Sequence, residues 1–299
     1  MEADRNSRIR RWAARAVLLL ALPLSSLGAH AQQKFPSPEA AADALVDALA
    51  TSDREAYDLI LGAGWRRFIP IEGIDAEDKT RFLEAWAKAH AVERDSDTVA
   101  HLTVGADRWM LPIPIAKQGE SWRFDTRAGA DEIRTRRIGR NELSAMQAAL
   151  AYCDAQHEYA LSDHDGDGVL EYAQRLISTP GKQDGLYWAA LPGEAESPLG
   201  PLFGDDIPGN GYLGYRFRIL KAQGPNAPGG AYDYRIGRRM SAGFALVAWP
   251  AKYGDTGVMS FIVSHDGQVY QKDLGPRGSA AAQGLTLFDP DASWEKVSP

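Results

Sequence analysis

Twice along this chain, stretches of helical spacing give way to short segments of β type. That order predicts helices gathered beside antiparallel sheets, the α+β class. The first set opens at Pro36-Ser37-Pro38-Glu39, where Ser37 has the chemistry of a helix cap and Pro38 is preset for the first helical position. Ala40, Ala44, Leu45, Ala48 and Leu49 then recur at the spacing of one helix face. Arg54 to Leu61 predicts a second helix ended by Gly62, and Ala76 to about His90 a third with Phe82, Leu83 and Trp86 on one side. Thr98 to Val104, Trp109 to Ala116 and Trp122 to Asp125 read as strands, the last two joined as a hairpin through Gln118-Gly119-Glu120. Pro112 and Pro114 cannot donate ladder hydrogen bonds, so the middle segment is read as an edge or bulged strand.

The second set starts at Asn141, read as the cap of a long helix to about Ala160 with Leu143, Met146, Leu150 and Cys153 on its apolar stripe. Pro, Gly and Asp crowd Thr179 to Gly211, which predicts a long loop. Tyr215 to Leu220, Phe244 to Trp249 and Val258 to Ser264 read as strands, and His265-Asp266-Gly267 turns the last of them into Val269 to Lys272. Between the sets lie Arg134, Arg136, Arg137 and Arg140. They form either an anion or partner site or a solvated hinge paired with Asp131, Glu132 and Glu142, the commoner fate of a charge run. The expected organisation is an export signal over 1–31, an α+β domain over 32–138 and a second α+β domain over 139–299.

Arg5, Arg8, Arg10, Arg11 and Arg15, an apolar run from Ala16 to Leu24 and the small residues ending Ala29-His30-Ala31 have the three-part order of a secretory signal cleaved after Ala31. The run is short of the roughly 20 residues that cross a bilayer, and Pro23 interrupts it. A soluble periplasmic or secreted protein with no transmembrane segment after cleavage is expected. Cleavage removes those five arginines with Glu2 and Asp4, taking the formal charge from −7 to −10. So acidic a chain disfavours nucleic acid and anionic membrane as partners. Cys153 is the single cysteine, so no internal disulfide forms even in an oxidising compartment. Its place on the apolar stripe predicts a buried, inert thiol.

One constellation has a chemical spacing. Asp163-His-Asp165-Gly-Asp167-Gly168-Val-Leu-Glu171 carries carboxylates at positions one, three, five and nine of an EF-hand-like loop, with glycine at six. Alternate oxygen donors on a tight loop surround a hard cation, and the Val169 carbonyl adds another, so Asp163, Asp165, Asp167, Val169 and Glu171 are the candidate calcium ligands. His164, at position two, points away in that geometry. Gln174 stands at position twelve in place of the bidentate Glu, which places affinity near the roughly 10⁻⁴ to 10⁻³ M of extracellular modules and makes the ion structural. The competing reading is an Asp/Gly turn ending the long helix, its repulsion offset by an arginine such as Arg175.

Catalytic signatures are missing: the sequence has no Gly-x-Ser-x-Gly, no His-Glu-x-x-His and no phosphate-binding glycine loop. A binding or assembly module of the cell envelope, acting on an envelope protein or glycan, is the leading expectation. The alternative is a cell-wall or glycan-processing enzyme with Tyr187, Trp188, Tyr212 and Trp249 as sugar platforms and Asp205-Asp206 as its acidic pair.

Three resemblances add to this. Arg137-Ile-Gly-Arg-Asn-Glu142, Asp163 to Gln174, Pro180-Gly-Lys-Gln-Asp-Gly-Leu-Tyr-Trp188, Ala227-Pro-Gly-Gly-Ala-Tyr-Asp233 and Tyr270-Gln-Lys-Asp-Leu-Gly275 are similar to an exported bacterial family known as domain of unknown function 2950. The resemblance implies a periplasmic setting and carries no catalytic residues. The helix Gln147 to Tyr159 with Gly214-Tyr215-Arg216-Phe217, Phe244 to Pro250, Gly257 to Phe261 and Asp266-Gly267 resembles the globular head of type IV pilins and pseudopilins. The pilin's N-terminal assembly helix has no counterpart before it, so pilus polymerisation is not implied. The hairpin Trp109 to Asp125 resembles the cone-shaped fold of nuclear transport factor 2.

Overall fold

The computed structural model describes residues 32–69, 76–190, 193, 196–200 and 211–299. The expected export signal and Asp205-Asp206 lie outside the described residues. Helices α1 (Pro38–Thr51), α2 (Arg54–Leu61) and α3 (Ala76–Lys88) open the chain. The Ser37 hydroxyl accepts from the Ala40 N–H and the Asp53 carboxylate from the Glu55 and Ala56 N–H groups, so both caps do what their chemistry predicts. Strands β1 (His90–Ser96), β2 (Val99–Val104), β3 (Trp109–Met110), β4 (Ile115–Gln118) and β5 (Ser121–Phe124) form an antiparallel sheet in the order β1-β2-β4-β5, with β3 also paired to β2. The two prolines split the expected middle strand into β3 and β4, as a pair of missing donors requires. Gly119, at φ +61°, sits in the turn between Gln118 and Ser121. Phe35, Leu45, Trp65, Leu102, Ile115, Trp122 and Phe124 are buried together as the first core.

Helix α4 (Thr126–Tyr159) is 34 residues long and corrects the expected start at Asn141. Its cap is Asp125, whose carboxylate accepts from the Ala128 N–H at 2.9 Å. The helix runs unbroken through the arginine cluster and across the expected 138/139 boundary, so that segment is not a hinge. Arg134 pairs with Asp131 and Arg136 with Glu132 along the helix, as the spacing predicts. Three residues on the other side face a different partner. Arg137 pairs with Asp255, Asn141 Nδ2 donates to the Thr256 carbonyl at 2.9 Å, and Glu142 Oε1 accepts from the Val258 and Met259 N–H groups at 2.8 and 3.0 Å. Asn141 and Glu142 thus fasten the 251–258 loop to the helix; neither serves the helix start or the arginine cluster.

Beyond α4 come β6 (Tyr215–Leu220), β7 (Ala222–Gln223), β8 (Tyr232–Asp233), β9 (Arg235–Ile236), β10 (Arg239–Met240), β11 (Ala245–Pro250), β12 (Met259–Ser264), β13 (Val269–Asp273), helix α5 (Gly278–Gly284) and β14 (Glu295–Val297). The main sheet is antiparallel in the order β14-β13-β12-β11-β6, while β7–β8 and β9–β10 are small ribbons. Every residue of β11 is buried. The fold is therefore α+β in both halves.

The face of α4 in the second core is rotated from the predicted stripe. Ala145, Ala149, Tyr152, Cys153 and Gln156 are buried, Met146 and Leu150 are half-buried, and Leu143 is exposed. Alanines let the helix approach the sheet closely. The polar Tyr152 and Gln156 take interior positions because their hydrogen bonds are met inside: Tyr152 Oη donates to the Ala245 carbonyl at 3.2 Å. Cys153 is 5% exposed, and burial, then the charges of Asp154 and Asp266, push its thiol up to about 12. The thiolate is the reactive form. An aromatic disulfide reagent at neutral pH is expected to leave the native thiol unmodified and to titrate one thiol per chain in denaturant; fast native labelling would show that the helix face opens.

Candidate functional site

The Asp-rich loop follows directly from the end of α4. Gly166 and Gly168 adopt φ of +76° and +81°, the left-handed region that favours glycine, so the chain curls tightly there. Asp163 Oδ1 accepts from the Gly166 N–H at 2.8 Å and Oδ2 from the Gly168 N–H at 2.9 Å. These amides, that of Gly168 foremost, hold the Asp163 carboxyl below its usual range. Asp165 accepts from the Asp167 N–H and Asp167 from the Val169 N–H. One carboxylate oxygen from each of Asp163, Asp165 and Asp167 falls within 4.8 Å of the others, and all three side chains are exposed.

Glu171 stands outside that group. Its carboxylate takes a hydrogen bond from the Met240 backbone, and its Oε2 is buried without a partner. Burial first, then the charge of Asp165, raises its pKa. His164 turns away as expected: its ring stacks on Tyr159 with centroids 3.9 Å apart, and Nε2 lies 3.0 Å from the Tyr159 carbonyl. The compensating arginine is Arg239, not Arg175. Arg239 Nε and Nη2 donate to Asp167 Oδ2 at 2.7 and 2.5 Å, whereas Arg175 donates to Thr179 Oγ1 at 3.1 Å. Gln174, at position twelve, is a tether whose Nε2 donates to the Arg238 carbonyl at 2.7 Å.

The donor set is all oxygen, solvent-facing and already curled, which fits a hard cation that keeps part of its water shell. Arg239 holds one Asp167 oxygen and so competes with an ion. Val169 contributes its N–H to the loop and has an exposed side chain.

A cleft of about 310 Å³ opens beside the loop, with Tyr159, Asp165, Glu171, Tyr172 and Asp184 in its walls. Asp184 accepts from Thr179 N and Oγ1 at 2.7 and 2.8 Å; burial opposes its ionisation, but these bonds with the charges of Arg175 and Lys182 lower its pKa. Burial, then the charges of Glu171, Asp184 and Asp165, drive the Tyr159 phenol well up. A longer groove of about 490 Å³ runs beside β6, with Leu176, Arg218 and Ile219 in its lining. Both depressions share Gln174, Arg175 and Lys221, and Lys221 Nζ donates to Gln174 Oε1 at 3.2 Å where they meet.

Two of the four proposed sugar platforms are buried. Trp188 and Trp249 are 9% and 5% exposed in the second core, and Tyr187 and Tyr212 are half-buried. The glycan-processing alternative loses its two tryptophans for that reason. Local spacing had no means of finding Arg239, Asp184 and Lys221, although Asp184 lies within the Pro180 to Trp188 motif.

Residues 32–297 match the model of a family described as "Protein of unknown function (DUF2950)". The chain belongs to this family. No curated protein and no solved structure matches it. The stretches that resemble DUF2950 have definite structural tasks here. Arg137 to Glu142 clamps the 251–258 loop, and Asp163 to Gln174 is the acidic loop with its tether. Pro180 to Trp188 supplies Asp184 to the cleft, and Tyr270 to Gly275 covers most of β13.

Proposed function

We propose that this DUF2950 protein is an exported binding or assembly module of the cell envelope whose Asp-rich loop holds a structural calcium ion. The observation carrying the ion is the convergence of Asp163, Asp165 and Asp167 within 4.8 Å on a loop curled by two left-handed glycines. Asp163, Asp165 and Asp167 would bind directly with the Val169 carbonyl, and Glu171 has the position-nine place that often reaches the ion through water. When bound, the ion neutralises the loop and ties the end of α4 to the segment leading to β6. Export is supported by the arginine-rich start, the apolar run and the small residues before the expected cut at Ala31. No helix among the described residues is long and apolar enough to cross a membrane. Two separate buried clusters support a reading as two units joined within α4. The long helix on an antiparallel sheet in the second unit, which likens it to a pilin head, fits a protein that presents surfaces to a partner.

Calcium that binds only the folded state stabilises it by about 2.7 kcal/mol at 100 times the dissociation constant and about 0.4 kcal/mol at equality. The melting temperature is expected to rise by roughly 5–10 °C between chelator and saturating calcium, given about 2–4 °C per kcal/mol for a chain near this size. Magnesium should do less, since it demands a smaller octahedral site. Asp165→Ala should remove the response. Identical melting curves in chelator and excess calcium would reduce the loop to a turn.

A further inference from the structure

The cleft carries charges of both signs, and two of its cations continue into the groove. Asp165, Glu171 and Asp184 lie around Tyr159 at the loop end, and Arg175, Arg218 and Lys221 lie toward β6. Among the described residues no salt bridge joins the two sets. Arg175 bonds the Thr179 hydroxyl, Lys221 bonds the Gln174 amide, and Arg218 Nη2 donates to the carbonyls of Ala282 and Leu285 at 3.0 and 2.5 Å. Opposite charges thus share the cleft without being paired off, although the charge of Arg175 is felt at Asp184.

At the acidic end a specific partner is missing. Glu171 Oε2 is buried and accepts no hydrogen bond, whereas buried polar atoms in folded proteins are normally satisfied. A carboxylate oxygen can only be completed by a donor. With Asp165 and Asp184 beside it, a cationic donor is favoured over a neutral one, and the half-buried Tyr172 ring adds a face that attracts an ammonium group. Toward β6 the lining changes to the half-buried Leu176 and Phe217 between the basic groups, apolar surface that a carbon backbone with small side chains can cover. The groove follows an extended strand at the end of the sheet order, so a ligand lying in it is itself extended.

We propose that the cleft binds a short peptide with free termini, its ammonium group against Glu171 and Asp165 and its carboxylate at the Arg175 and Lys221 end. This deepens the reading of a binding module by naming its ligand class; it does not require the ion, and because Asp165 and Glu171 would serve both, calcium is expected to weaken peptide binding. Both depressions have volumes in the range of small-ligand sites, roughly 300–1,000 Å³.

The test is isothermal titration calorimetry of the mature chain with trialanine, N-acetyl-trialanine and trialanine amide, each in chelator and in calcium. Trialanine is expected to bind. Blocking its amine should weaken binding at least about tenfold, equivalent to about 1.4 kcal/mol. Glu171→Gln should reproduce that loss with the unblocked peptide. Lys221→Met should weaken trialanine while leaving the amide, already without a carboxylate, unchanged. The wild-type comparison of free and acetylated peptide stands even if Glu171→Gln fails to fold. No binding of trialanine at millimolar concentration, or equal binding of the acetylated peptide, would overturn the proposal. Binding retained in chelator with no calcium effect on melting would remove the ion and keep the peptide site. The reverse pattern would remove the peptide site alone.

Discussion

Replacing Gln156 with leucine is expected to destabilise the protein by about 2–5 kcal/mol, because it strands two buried backbone groups at once. Gln156 has no exposed surface, and its amide is fully used: Nε2 donates to Tyr152 Oη at 3.0 Å and to the Ala173 carbonyl at 2.8 Å, while Oε1 accepts from the Ala173 N–H at 2.8 Å. Leucine has a similar volume and belongs in such a core, so the apolar contacts survive. What is lost is the one side chain among the described residues that bonds both polar groups of Ala173, itself 1% exposed. Ala173 follows Glu171 by two residues, so the change also loosens the wall of the cleft. Urea unfolding should show a lower midpoint with an unchanged slope, the mark of altered stability without an altered unfolded state. A loss under about 1 kcal/mol would mean that water enters and completes Ala173.

The Gly257→Ala substitution is expected to cost about 3 kcal/mol or more, at the upper end of overpacking effects. A Cβ there would lie 2.2 Å from Tyr215 Oη and 2.6 Å from its Cζ. Neither side can retreat. Tyr215 is fully buried, with its hydroxyl donating to the Met259 carbonyl at 2.8 Å, and Gly257 lies in the segment clamped by Asn141 and Glu142. Gly139→Ala is the matched control. Gly139 lies inside α4 with nothing within 4 Å of an added Cβ, so alanine should stabilise the helix by about 0.5–1 kcal/mol. Opposite signs in the two melting temperatures would support both the close contact and the unbroken helix. Equal small losses would refute them together.

Elements that announce themselves through local chemistry were readable from the sequence. Ser37 and Gly62 marked helix ends because caps depend on neighbours a few residues away, and β6, β11, β12 and β13 were readable from apolar and β-branched runs. Strand β1 was not, since His90 to Ser96 is a mostly exposed polar edge with no alternation to betray it. The first half of α4 was hidden for a related reason: Arg134 to Arg140 shows no apolar stripe, and Asn141 looked like a cap although it serves a loop 115 residues away. The acidic loop shows the same division. Its three aspartates could be found by spacing, but Arg239, 72 residues beyond Asp167, is joined to them only by folding. Gln156 escaped notice because a glutamine on a helix gives no sign that a distant peptide group needs it.

Helix α4 is also the direct covalent link between the first core and the cleft. Near its start, Gly129 is buried against Pro112 and Ile113, and Arg136 Nη1 donates to the Met110 carbonyl at 2.7 Å. At its other end, Tyr159 forms a wall of the charged cleft. At about 1.5 Å per residue its 34 residues span about 50 Å with no break in the helix. The first core and the wall of the cleft are thus joined by one continuous backbone ladder, with no loop between them.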